Sequence, residues 1–314
     1  MIKRIFTLLF FIGLSQILNA QSFKIIPLGV LGGSDESNLS SYMIAPKGSE
    51  NYVCLDAGTL KAGLEKAVKK HVFKDAAADV LKKNIKGYLI SHGHLDHLSG
   101  LIMNSPDDSP KAIYAMHYVI DVFKKHYFSW DTWANFANEG EKPALAKYHY
   151  VSLNPDQEIS LENTSMLVTP FELSHSKPYQ STAFLVRSNQ DYVLYLGDTG
   201  ADRIEQSDKL NQLWKAVAPL IKSHQLKAIL IEVSFPNARS EKQLFGHLTP
   251  KLLMEEMQHL SNYAGADAMK NLNVVITHMK PVEHNIETIK KEVKAGNELG
   301  LNIIFPKQGF LIHL

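Results

Sequence analysis

Residues 91–100 read Ser-His-Gly-His-Leu-Asp-His-Leu-Ser-Gly, placing three histidines and an aspartate within six positions directly after the apolar residues Tyr88, Leu89 and Ile90. This stretch constrains the chain more than any other, because a strand must deliver it and the backbone must turn at once. In an extended segment residues i and i+2 point the same way, so His92 and His94 can grip one cation while the turn sends Asp96 and His97 toward a second. A single strand-terminal histidine is ordinarily a surface or core residue. A His-x-His-x-Asp-His run after an apolar strand reads as half of a two-metal site.

The same grammar recurs along the chain. Asp56 follows the apolar run 52–55, His175 follows 165–173, Asp198 follows 192–196 and His278 follows 273–277. Helical patterns over about 60–70, 76–84 and 204–222 alternate with these strands, and Thr249-Pro250 starts another helix, the threonine capping and the proline fitting the first helical position. Strand ends gathered at one edge of layered sheets would bring the polar residues to one point. Two divalent ions can then be built: His92, His94 and His175 on the first, Asp96, His97 and His278 on the second, with Asp198 bridging. Zinc fits this donor set best, with manganese or iron as alternatives. Bound metal lowers the pKa of water from about 15.7 toward 7, so a bridging hydroxide is expected at neutral pH. His71, His117, His126, His149, His224, His259, His284 and His313 lack such a setting and are read as structural.

Composition narrows the class. The 314 residues are 45% hydrophobic and 21% charged, with no linker or low-complexity tract in 22–314, which suits one globular domain over that range. A net charge of +1 gives no global field for nucleic acid, membrane or an acidic partner. The single cysteine, Cys54, lies in an apolar run and reads as a small buried hydrophobe. Residues 1–20 carry Lys3 and Arg4, then a short apolar stretch, then polar residues before Ala20. That is export-signal architecture and implies a periplasmic or secreted protein; Leu18 stands where a small residue is expected before the cut, so an uncleaved anchor is the alternative. The aromatics of 126–150 lack clean periodicity and read as a local packing cluster or a contact between copies in a homodimer, rather than a pocket wall.

The cluster resembles the metal signature of the metallo-β-lactamase superfamily, with Asp56-Ala57-Gly58, His175, Gly197-Asp198-Thr199 and His278 at its other motif positions in order. Within it, the chain is more similar to the class II cyclic-nucleotide phosphodiesterases. The His-x-His-Leu-Asp-His-x-x-Gly pattern is met by residues 92–100, and the similarity extends through Gly32-Gly33, 38–42, Trp133-x-Asn135-Phe136, 181–184, 232–237 and 245–250. Ala134 departs from the proline expected there. The resemblance implies an α/β fold of αββα sandwich type and hydrolysis of 3′,5′-cyclic AMP to 5′-AMP. It also implies His247 as acid to the leaving oxygen or phosphate ligand, Asp96 among the catalytic groups, Asp56 and Glu232 behind the ligands, and Asn38 and Trp133 as sugar and base contacts. The metal motif alone equally serves hydrolases of β-lactams, thioesters or aryl sulfates, and a non-catalytic metal- or nucleotide-binding protein is the alternative of another class.

Overall fold

Short apolar runs of up to nine residues are the building material of a doubly layered β structure. In the computed structural model, which describes residues 22–314, they form β1 (Phe23–Gly29), β2 (Ser41–Pro46), β3 (Tyr52–Leu55), β4 (Ile85–Ile90), β5 (Lys111–Met116) and β6 (Tyr148–Leu153). They continue as β7 (Ile159–Ser160), β8 (Leu167–Ser174), β9 (Gln180–Ser188), β10 (Asp191–Leu196), β11 (Leu226–Glu232), β12 (Asn273–Thr277), β13 (Asn302–Ile304) and β14 (Ile312–His313). One sheet has the order β14-β1-β2-β3-β4-β5-β6 and the other β13-β12-β11-β10-β9-β8-β7. The two face each other: Tyr42 of β2 and Tyr195 of β10 meet with ring centroids 6.0 Å apart. The expected export segment, residues 1–20, lies outside the described residues, and no helix among the described residues is long and apolar enough to cross a membrane.

Helices cover the outer faces, as the αββα expectation requires. Lys61–Lys69 and Ala77–Lys83 lie against the first sheet and Lys209–Lys222 against the second, with Pro250–Ala264 packed on Lys209–Lys222. Lys209–Lys222 buries Leu210, Leu213, Trp214, Val217, Ala218 and Ile221, the spacing of one helical face. Thr249 Oγ1 accepts from Leu252 N with Pro250 in the first turn, the expected cap. The single helix expected over 204–222 is instead two, Asp202–Glu205 and Lys209–Lys222. Gln206 turns left-handed (φ 50°), and the Asp202 carboxylate accepts from Leu210 N and Asn211 N, capping the second piece.

Topology sets where the strands end. β3 and β4 run parallel, as do β10, β11 and β12, and β8 runs parallel to β10 because each pairs antiparallel with β9. The C-terminal ends of β3 and β4 in one sheet and of β8, β10, β11 and β12 in the other therefore collect at one edge of the sandwich.

Phe128, Phe136 and Tyr148 of the aromatic segment 126–150 pack within one chain, while Trp130 and His126 are exposed. Phe128 stacks on Tyr148 with centroids 6.0 Å apart and meets Phe136 at 6.3 Å, so they form the packing cluster expected. Below it a buried carboxylate ties three strands together. Asp108 accepts from Tyr88 and Tyr148 hydroxyls at 2.7 and 2.9 Å and pairs with Lys111 Nζ at 2.7 Å. Lys111 and Asp108 are both buried, and burial lowers the Lys111 pKa. Removing one partner leaves a buried charge uncompensated, so Asp108→Ala is expected to lower unfolding stability by about 3–5 kcal/mol in urea titration. A loss below about 1 kcal/mol would contradict this role.

Candidate metal centre

Each expected ligand leaves a strand end or the turn beyond it. Asp56 follows β3 and His278 follows β12, both at φ 55°, a left-handed conformation that non-glycine residues rarely hold. His92 and His94 follow β4, and His94 immediately precedes the helix Leu95–Asn104, whose first turn carries Asp96 and His97. His175 lies just past β8, and Asp198 two residues past β10.

The turns bring all seven together. The donor atoms of His92, His94, His175 and Asp198 lie within 4.8 Å of one another, as do those of Asp96, His97 and His278. Asp198 joins the sets: Oδ2 is 3.8 Å from His92 Nε2 and His175 Nε2 and 3.3 Å from His278 Nε2, while Oδ1 is 3.3 Å from His97 Nε2. His278 Nε2 also lies 3.1 Å from Asp96 Oδ2.

Surrounding hydrogen bonds fix which nitrogen faces inward. Asp56 Oδ2 accepts from His97 Nδ1 at 2.7 Å, Ser91 Oγ at 2.7 Å and Tyr195 OH at 2.6 Å. Ser91 Oγ, having donated to Asp56, accepts from His92 Nδ1 at 2.9 Å. His175 Nδ1 donates to Gly246 O at 2.8 Å. Ser234 Oγ donates to Glu232 at 2.8 Å and accepts from His278 Nδ1 at 2.9 Å. Four histidines thus turn Nδ1 to the protein and Nε2 to the cluster, the arrangement that orients metal ligands. Two glycines permit the closeness. A Cβ on Gly32 would stand 2.2 Å from the His278 ring, and Gly246 (φ 76°) would place one 2.5 Å from Ser176 N.

Electrostatics fit a cation. Buried His92 Nε2, His97 Nε2 and Asp198 Oδ1 have no hydrogen-bond partner, a costly state for polar atoms unless a ligand completes them. Burial lowers His92, His94 (to about 4) and His175, keeping them neutral. Burial works against ionising Asp198 and Asp96, yet neighbouring histidines hold both well below the carboxylate range: His278, His97 and His247 for Asp198, and His278 and His97 for Asp96. His97 is held above its ordinary value despite burial, because Asp198 and Asp56 flank it. A divalent cation between those groups would displace that proton.

The remaining expected site residues divide. Glu232 Oε1 accepts from His247 Nδ1 at 2.8 Å, so Glu232 stands behind both His247 and, through Ser234, His278. Burial pushes Glu232 up to about 7, with Asp198 adding to it, and lowers His247 to about 3, so the two share a hydrogen bond rather than an ion pair. Asn38 is half-buried and its Oδ1 accepts from Val30 N, bracing the loop that carries Gly32. Trp133 is not brought to the cluster. Its Nε1 donates to Ser105 Oγ beyond the far end of Leu95–Asn104, nine residues and roughly 13 Å along the helix from Asp96. Asn135 is buried, holding Glu139 O, Glu141 O and Ala137 N within its own loop.

Three side chains near the cluster escape sequence reasoning. Lys280 Nζ lies 3.1 Å from His247 Nε2 and 5.1 Å over the Phe235 ring, with no carboxylate within 4.0 Å among the described residues. Its position two residues after His278 was the available signal. Tyr179 meets the His94 ring at 5.3 Å, and His126, read as structural, lines a cleft with His92 and His94. No spacing rule marks either.

Residues 21–309 match the family described as cAMP phosphodiesterases class-II. A 3′,5′-cyclic-nucleotide phosphodiesterase of Aliivibrio fischeri is 42% identical over 303 residues, 92% of each chain. A probable 3′,5′-cyclic-nucleotide phosphodiesterase of Yersinia pestis is 38% identical over 307 residues, covering 93% of this chain and 89% of that one. Unliganded yeast PDE1 superposes with a TM-score of 0.83 at 25% identity, over 94% of this chain and 100% of that one. The metallo-beta-lactamase fold protein YhfI from Bacillus subtilis, at 16% identity and a TM-score of 0.63 over 93% of this chain and 100% of that one, shares the fold. A family match across almost every described residue, carried by a sandwich with its ligands at one edge, means that the chain belongs to the class-II cAMP phosphodiesterases, built on the metallo-β-lactamase fold.

Proposed function

We propose that this chain hydrolyses the 3′,5′-phosphodiester of cyclic nucleotides, cyclic AMP to 5′-AMP, at a site holding two divalent cations, zinc by the donor chemistry. The convergence of seven histidine and aspartate donors into two sets, with Asp198 within 3.8 Å of histidines of both, in a chain of this family, carries that reading. His92, His94 and His175 would hold one cation and Asp96, His97 and His278 the other, with Asp198 between them; imidazole and carboxylate donors without thiolate suit zinc. Cations bound there supply Lewis acidity toward a phosphoryl oxygen and acidify a water molecule.

The chain's own groups do the rest. Asp56, Ser91 and Ser234 hold ligand imidazoles in the tautomer that presents Nε2, so little reorganisation accompanies substrate entry. Glu232 fixes His247 through Nδ1, and His247 Nε2 accepts one hydrogen of the Lys280 ammonium. Two ammonium hydrogens remain for a phosphoryl oxygen or for the departing 3′ oxygen, where negative charge develops. His247 would accordingly act with Lys280 on the leaving-group side, and Asp96, braced by Gly33 N, would serve as a ligand of the second cation.

Zinc-loaded protein is expected to release 5′-AMP from cyclic AMP and to lose that activity on chelation. Cleavage of a β-lactam or thioester with no cyclic nucleotide turned over would contradict the assignment. Lys280→Met and His247→Gln should each lower kcat on cyclic AMP by about 100-fold. Both should affect bis(4-nitrophenyl) phosphate much less, since its leaving group departs without a proton; equal losses on the two substrates would remove the leaving-group role. Asp56→Asn should weaken zinc binding by about 10–100-fold in competition with a fluorescent chelator, and unchanged affinity would show that Asp56 does not orient His97.

A further inference from the structure

The helix His117–Val122 runs directly into a π-helical turn, Phe123–Tyr127. Such a turn admits an extra residue and redirects the side chains around it. Phe123 stays buried against Phe128 and Tyr150, and Tyr127 OH donates to Gly93 O at 2.8 Å, pinning the turn to the loop between His92 and His94. His126, on the same turn, is exposed and lines a cleft of about 350 Å³ whose inner end is made by His92 and His94. That is the size of a small-ligand pocket, which runs from about 300 to 1,000 Å³.

The lining is mostly aromatic and apolar. Tyr118, Val122 and Tyr179 supply it, and the Tyr118 hydroxyl is already engaged with Thr182 Oγ1 at 2.9 Å. Tyr179 is 59% exposed although its ring stands against that of His94. A tyrosine left this exposed beside a metal-ligand histidine offers a face for stacking. Two polar groups complete the cleft, the His126 ring and the Gln180 amide, and neither side chain has a hydrogen-bond partner among the described residues. An apolar slot with one free ring face and two free hydrogen-bonding groups, ending at the ligands of the first cation, suits a neutral planar heteroaromatic ring joined to a phosphate.

We infer that this cleft is the nucleobase subsite, in which Tyr179 stacks on the base while His126 and Gln180 read its edge; the inference rests on the phosphodiesterase reading above. The test compares cyclic AMP with methyl riboside 3′,5′-cyclic phosphate, which keeps the reacting ring and lacks the base, in wild type, Tyr179→Ala, Tyr179→Phe and His126→Ala. Tyr179→Ala should reduce the ratio of kcat/KM for cyclic AMP over the abasic compound by about tenfold, through KM, as loss of one base–aromatic stack predicts, and Tyr179→Phe should restore it. His126→Ala should change the ratio of cyclic AMP to cyclic GMP turnover by threefold or more. Calorimetry of the zinc-loaded protein supplies a readout without turnover: wild type should bind 5′-AMP more tightly than ribose 5-phosphate, and Tyr179→Ala should lose that preference. An unchanged cyclic AMP preference in Tyr179→Ala, with wild type still active, overturns the subsite and leaves the phosphodiesterase reading standing. Wild type that turns over neither compound overturns both.

Discussion

Asp198 is the group on which the rest of the site closes. It is buried, its two oxygens reach toward both donor sets, and five histidine nitrogens, His247 Nδ1 among them, approach it within 3.8 Å. A carboxylate taken this far from water costs several kcal/mol unless opposite charge compensates it. His97 does so by holding a proton between Asp198 and Asp56. Divalent cations would do so more fully and would also satisfy the unpartnered nitrogens of His92 and His97. Metal binding and folding of the strand ends are therefore linked: what stabilises the cluster also holds the turns after β3, β4, β8, β10 and β12 in place.

The sandwich makes that concentration of charge tolerable. β3, β4, β10 and β12 lie mostly in the apolar core, so the turns after them are anchored from behind while their tips carry the polar groups. Asp56 shows how the layers cooperate. It sits past β3 of one sheet, accepts from Tyr195 of the other, and holds both Ser91 and His97 of the loop and helix between. The left-handed backbone at Asp56 and His278 is strain the fold retains because the hydrogen bonds around it over-determine the position.

The convergence of these seven donors was legible because it follows one rule: an apolar strand ends and a histidine or aspartate comes next. His92, His94, Asp96 and His97 announce themselves, and His175, Asp198 and His278 repeat the pattern. The parallel pairing of β3 to β6 did not show, because it runs through intervening helices and periodicity carries no information about neighbours. Trp133 illustrates a different limit. Aromatic residues serve packing and binding with the same chemistry, and only the bond to Ser105 reveals that this one anchors a loop. Lys280, His126 and Tyr179 are legible only in three dimensions, since each lies near the ligands through a turn whose geometry depends on distant contacts: the Glu232–His247 pair for Lys280, and the π-turn for His126.

The two-cation arrangement around Asp198 is tested most directly by anomalous diffraction at the zinc absorption edge from crystals of the zinc-loaded protein. Two anomalous peaks are expected, one bound by His92, His94 and His175, the other by Asp96, His97 and His278, with an oxygen of Asp198 bound to each. A single peak, or two peaks with Asp198 bound to neither, would contradict the shared-carboxylate centre.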